Sequence, residues 1–124
     1  MKQVLATEQA PAAIGPYSQG IAAGETVYVS GQLPLDPATG AFPEGIAAQT
    51  AQSLKNIQAI LAQQGMTLAN VVKTTVFLAD INDFAEMNKV YGEFFTQPYP
   101  ARSAVQVARL PKDAAVEIEC IAVR

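Results

Sequence analysis

Ala115-Val116-Glu117-Ile118-Glu119-Cys120-Ile121-Ala122-Val123 reads as a β-strand whose side chains alternate with a period of two. Val116, Ile118, Cys120 and Ala122 point one way, while Ala115, Glu117, Glu119, Ile121 and Val123 point the other. The first set is apolar throughout and belongs under a layer of helices. The second mixes two carboxylates with aliphatic side chains. Such a face is costly to leave in water and equally costly to bury without partners for its charges. It is therefore expected to pack against another subunit, with the glutamates finding partners there.

Upstream of this strand lies a polar turn around Pro111-Lys112-Asp113, preceded by a strand over Ser103 to Ala108. A helix is expected to begin near Asp83, with Glu86 three residues on completing a capping box. Its stripe is Phe84, Met87, Tyr91 and Phe94, with Asn88 and Phe95 beside it, and a stripe of this kind usually faces a core. Val71 to Leu78 is rich in β-branched residues and reads as a strand. Ile46 to Gln64 forms the clearest helix: Ala47, Ala51, Leu54, Ile57 and Leu61 recur at steps of three and four, and Gly65 is suited to close it. Pro34 to Gly45 holds three prolines and two glycines and is expected to be a long ordered loop. Before it, Ile21 to Ala23 and Thr26 to Ser30 form two short strands around Gly24-Glu25, and Ala10 to Gly20 is loop-like. The order is β-β-α-β-α-β-β, with room for an extra strand at Val4-Leu5. Two helices on one face of a mainly antiparallel sheet make an α+β layer fold.

At 124 residues the chain has the length of one domain, residues 1-124. Half of it is apolar and 15% is charged, a compact composition that leaves room for a buried subunit interface. The formal net charge is −3 and the eight basic residues are scattered, so no cationic stripe suited to nucleic acid is visible. There is no histidine and one cysteine, which disfavours a zinc or transition-metal site. Cys120 lies between apolar neighbours and is expected to be a small buried hydrophobe. The N-terminus lacks the apolar core of a signal peptide, and no run approaches membrane-spanning length. The simplest expectation is a soluble, cytoplasmic protein with no cofactor and no metal.

Chemistry must then come from carboxylates, hydroxyls, arginine and backbone. Pro98 and Pro100 stiffen the approach to Arg102, whose guanidinium can grip a carboxylate with two parallel hydrogen bonds. Glu117 follows fifteen residues later, mid-strand, and the two form the best candidate pair. Burial would raise the Glu117 pKa and a nearby Arg102 would lower it. Ser30 ends a strand beside Gly31, where a hydroxyl and an accessible carbonyl would sit together. Taken singly, each has an ordinary reading: a surface arginine, a solvated strand glutamate, a turn serine. Tyr17, after Gly15-Pro16, reads by itself as a loop anchor packed on the core.

Together, Gly15-Pro16-Tyr17-Ser18-Gln19, Val29-Ser30-Gly31-Gln32, Asp80-Ile81-Asn82-Asp83-Phe84 and the stretch from Pro100 to Ile118 resemble the RidA family of imine/enamine deaminases. The likeness runs nearly end to end, and four such motifs in order are specific. It implies a chorismate-mutase-like α+β fold assembled as a homotrimer, with a central β-barrel and ligand clefts between subunits. It also implies hydrolysis of 2-imino acids and their 2-enamino tautomers, released by pyridoxal-phosphate enzymes, to 2-oxo acids and ammonia. By this resemblance Arg102 would clamp the substrate carboxylate and Glu117 would orient or activate water. Ser30 and Tyr17 would hydrogen-bond near the imine. The backbone at Gly31 and Ala104 would line the cleft, with Asn88 close by. Many relatives have cysteine where this chain has Ala104, which favours a backbone role for that position.

Three other readings compete. The same trimer can bind small carboxylates without turnover, a reading that Arg102 serves equally well and Glu117 less well. A ribonuclease or translation inhibitor is disfavoured by the acidic balance and missing histidine. A chorismate mutase shares the fold, but fold does not carry function.

Overall fold

The computed structural model describes residues Met1–Arg124. Six strands form one sheet: β1 (Lys2–Leu5), β2 (Gly20–Ala23), β3 (Thr26–Gln32), β4 (Val71–Leu78), β5 (Ala101–Gln106) and β6 (Val116–Val123). Their spatial order is β1-β2-β3-β6-β4-β5. Every pairing is antiparallel except β4 with β5. A parallel pair needs a crossover, and here helix α2 (Phe84–Phe94) supplies it. Helix α1 (Ile46–Ala62) packs on the same face, so the α+β layering expected from the sequence holds.

The core lies between the helices and the apolar set of β6. Val116, Ile118 and Ala122 are fully buried and Cys120 nearly so, together with Val27 and Val29 of β3 and Val76 and Leu78 of β4. From the helices come Leu54, Ile57, Ile60, Leu61, Met87 and Tyr91. The α1 stripe is rotated relative to expectation. Ala47 and Ala51 sit at its margin, and Thr50, Ser53 and Asn56 are buried within it. The helix ends at Ala62, two residues early, where Gly65 (φ 69°) donates to Ala62 O and Met66 donates to Leu61 O. That pair of bonds is the Schellman ending for which glycine is suited.

Three further boundaries differ from the sequence reading for local reasons. Asp83 precedes α2 in helical backbone and makes no side-chain cap. Asp80 caps a 3-10 turn over Ile81–Asp83 instead, accepting from Asn82 N at 2.9 Å. Strand β5 begins at Ala101 and ends at Gln106, because its ladder follows β4 from Lys73 to Leu78. Strand β3 does not stop at Ser30. It runs through a bulge to Gln32, and that bulge shapes the site described next.

Candidate active site

Glu117 projects from β6 onto the sheet face that carries no helix, and its carboxyl lies over Gly31 of β3. A Cβ built on Gly31 would meet Glu117 Oε2 at 2.6 Å and the carboxyl carbon at 2.9 Å, so glycine is what leaves the space. The bulge creates this approach. Val29 pairs with Cys120 and Gln32 with Ile118, so Ser30 and Gly31 together stand opposite Glu119. Val29 and Gln32 are both buried, whereas Ser30 and Gly31 face a groove of about 660 Å³. Tyr17, Ser30, Gly31, Lys112, Glu117 and Glu119 line its polar part, and Leu33, Leu35 and Phe42 line an apolar wall.

Burial holds the Glu117 carboxyl above the ordinary carboxylate range, and the charge of Glu119 pushes it further up. Within a single chain burial sets the direction, because Arg102 of that chain does not reach Glu117. The Ser30 hydroxyl donates to Ser18 O at 2.6 Å, which leaves its lone pairs to accept. The Ser30 carbonyl, expected to be accessible, already accepts from Gln32 Nε2 at 3.0 Å. Tyr17 is 52% exposed and stands at the groove, so it is not packed on the core as its isolated reading suggested.

Arg102 occupies a second cavity of about 480 Å³ with Asn88, Tyr91, Tyr99 and Pro100. Its Nη1 donates to Asn88 Oδ1 at 2.7 Å, and its guanidinium carbon lies 4.7 Å from the Tyr91 ring centre and 5.4 Å from that of Phe84. The aromatic faces and the amide fix the guanidinium in place. It makes no salt bridge within the chain, and its remaining N–H groups stay available to a ligand. Tyr91 is fixed in turn by a 2.7 Å hydrogen bond between its hydroxyl and Thr74. Ala104 lies two residues further along β5, the strand at the edge of the sheet. Val107 N donates to Leu78 O, and alternate residues of a parallel strand bond to a given neighbour. Arg102, Ala104 and Gln106 therefore direct their backbone groups along the open edge.

The two halves of the site do not meet within one chain. Arg102 is in register with Thr74 of β4 and, through it, with Cys120 of β6, so it lies on the helix side. Glu117 is in register with Phe77 and Val105, so it lies on the other side. Arg102, Asn88 and Ala104 form one group; Glu117, Tyr17, Ser30 and Gly31 form the other.

Two organisers were given no role in the sequence reading, although Gln19 closes the first of the quoted motifs. Gln19 is buried, accepts from Thr7 N at 2.7 Å, and donates to the carbonyls of Thr7, Ala10 and Pro11, fixing the loop beside Tyr17. Asn56, inside α1, donates to Leu33 O at 3.1 Å and Leu35 O at 2.9 Å, which ties down the apolar wall of the groove. A glutamine in a loop and an asparagine on a helix look like solvent-facing residues until their distant partners are known.

A half-buried carboxyl and a guanidinium free of any salt bridge thus stand on opposite faces of this α+β frame. The family described as endoribonuclease L-PSP matches residues 7–124, and the chain belongs to it. A 2-iminobutanoate/2-iminopropanoate deaminase of Salmonella typhimurium is 55% identical, covering 100% of this chain and 99% of its own. Among solved structures, the YjgF gene product of E. coli has a TM-score of 0.95 at 54% identity, covering 98% of each chain. E. coli TdcF with bound serine has a TM-score of 0.94 at 49% identity, again covering 98% of each. The family likeness read from the motifs is thus borne out.

Proposed function

We propose that this protein is a RidA-type deaminase that hydrolyses 2-imino acids and their 2-enamino tautomers to 2-oxo acids and ammonia, working as a homotrimer with a site between each pair of copies. The observation that carries the reading is the Glu117 carboxyl, half-buried over Gly31 and held above its ordinary pKa. A proton-transfer group tuned toward neutrality is what this hydrolysis needs. The relatives named as 2-iminobutanoate/2-iminopropanoate deaminases and the serine bound to TdcF support a small amino-acid-derived substrate.

In this mechanism Arg102, aligned by Asn88 and the Tyr91 ring, grips the substrate carboxylate. The outward N–H of Ala104 on the sheet edge adds a donor to the same end. Glu117 takes a proton from water as the water oxygen adds to the imine carbon, giving a carbinolamine. The proton then passes to nitrogen with the Tyr17 hydroxyl as relay, while the Ser30 hydroxyl, its own proton held by Ser18 O, accepts a hydrogen bond from the N–H. The C–N bond breaks, and the oxygen's remaining proton passes through Glu117 to the departing ammonia as the carbonyl forms, which leaves ammonium and the ionised carboxylate. A protonated imine is already electrophilic, so placement and proton transfer suffice.

Arg102 and Glu117 act on one substrate only if a second copy brings its own Arg102 to the groove of the first. The helix-free face supports such an assembly. Val4, Ile21, Tyr28 and Ile121 are in register across four strands, an apolar row in which Val4 is 61% and Tyr28 50% exposed. Three such faces packed together would make the central barrel. The ribonuclease in the family's description is disfavoured by the scattered cations and absent histidine.

The reading is tested by generating a 2-imino acid with an amino-acid oxidase and trapping the survivor with semicarbazide. Wild type is expected to lower the semicarbazone. Glu117→Gln should lose about 10²- to 10⁴-fold of that activity, the usual contribution of a general acid–base group, while still binding a 2-oxo acid. A Glu117→Gln protein that hydrolyses at the wild-type rate overturns the assignment.

A further inference from the structure

The turn between β5 and β6 contains two consecutive non-glycine residues in left-handed backbone, Lys112 (φ 56°, ψ 26°) and Asp113 (φ 57°). Sterics disfavour this region for an L-residue. Asp113 has a local reason to be there. Short acidic side chains tolerate the conformation, and its Oδ1 accepts from Arg109 Nε at 3.0 Å. Lys112 has none. Its long side chain gains nothing from the conformation, and its ammonium makes no ion pair within the chain. The turn is nevertheless fixed at both ends. Leu110 and Ala114 are buried, Asp113 N donates to Leu110 O, and Ala114 N donates to Pro111 O.

The consequence is placement. Lys112 borders the groove that holds Glu117 and Glu119, and it is the one cation that this chain contributes to that lining. A substrate bearing a carboxylate would approach two glutamates in a groove to which this chain contributes no other cation. Backbone strain next to a functional groove is commonly retained for the position it gives a side chain.

We infer that Lys112 is a specificity residue of this site, whose ammonium offsets the two glutamates and so admits substrates that carry a carboxylate. The inference rests on the deaminase reading above. Arg102 holds the anion once bound; Lys112 governs its entry and affinity. An aspartate or alanine at position 112 would disturb charge and turn together, so the informative variants are those that keep the turn.

Lys112→Asn and Lys112→Gly both suit left-handed backbone and remove the charge, and Lys112→Arg keeps it. The two neutral variants are expected to melt at or above the wild-type temperature. Their KM for 2-iminobutanoate should rise about five-fold, the scale of one partly screened charge interaction, with kcat unchanged. The arginine variant should retain the wild-type KM. Raising the salt concentration should raise the wild-type KM more steeply than that of the asparagine variant. Titration with 2-oxobutanoate, the stable product, reads the same loss of affinity without turnover. Failure of wild type to hydrolyse imines would therefore be told apart from failure of Lys112 to attract the anion. An asparagine variant with wild-type KM and wild-type product affinity overturns the inference, as does a fall in kcat at unchanged KM.

Discussion

Glu117 carries a measurable signature of its surroundings. Its folded-state pKa lies above the ordinary 4.5, first because burial disfavours the charge and second because Glu119 stands two residues along the same strand face. A carboxyl raised in this way binds its proton more tightly folded than unfolded. It therefore favours the folded state fully below the unfolded pKa, and that contribution is lost as pH rises through the folded value. At neutral pH the carboxylate opposes folding in a way that glutamine does not. Glu117→Gln is accordingly expected to melt above wild type near pH 7, with the difference vanishing as pH falls below the ordinary carboxylate range. Thermal melts across a pH series check this, and a difference that stays constant with pH would contradict it. Cys120, on the opposite face of the same strand, shows the inert extreme. Burial above all, with Glu119 adding to it, pushes its thiol up to about 12, so it stays protonated and serves as packing.

At the scale of elements, the β3 bulge matters most. It puts two residues of β3 against one of β6 and lets Gly31 pass beneath Glu117. Gly31→Ala would drive its methyl into the carboxyl group, the mobile end of a side chain that can swing aside. The fold should lose less than about 1 kcal/mol, while hydrolysis falls at least ten-fold because the carboxyl leaves its productive position. Equal losses of stability and activity on chemical denaturation and turnover would count against this account. The bulge also marks where the sequence stopped being legible. Periodicity identified α1, α2 and β6, each of which repeats one pattern over at least eight residues, and β-branched composition identified β4. Ser30-Gly31-Gln32 breaks the alternation of β3 and so read as the end of a strand. The Asp83 cap failed because a 3-10 turn before α2 placed Asp80 at the first free N–H groups. Gln19 and Asn56 act through carbonyls far from them in sequence, or across a loop, and no local pattern announces that. The candidate residues themselves were legible from the motifs, but their division between two faces was not. It depends on the registers of β5 with β4 and of β4 with β6, which sequence does not give.

For the molecule as a whole, the account turns on that division. No helix is long and apolar enough to cross a membrane, and the apolar row over β1, β2, β3 and β6 stands on the sheet face that carries no helix. In the proposed assembly a second copy covers that row and also supplies the other half of the site. The expectation of such burial came from the mixed face of β6, and that of a threefold arrangement from the family likeness. Arg102→Ala and Glu117→Gln should each be nearly inactive in imine hydrolysis, yet they damage different halves. The most direct test is to unfold the two variants together in equal amounts, refold them, and measure semicarbazone loss. If each site joins Arg102 of one copy to Glu117 of another, random mixing should restore about a quarter of the wild-type activity. If the mixture does no more than the two variants assayed separately, the site is not shared between copies and the account is wrong.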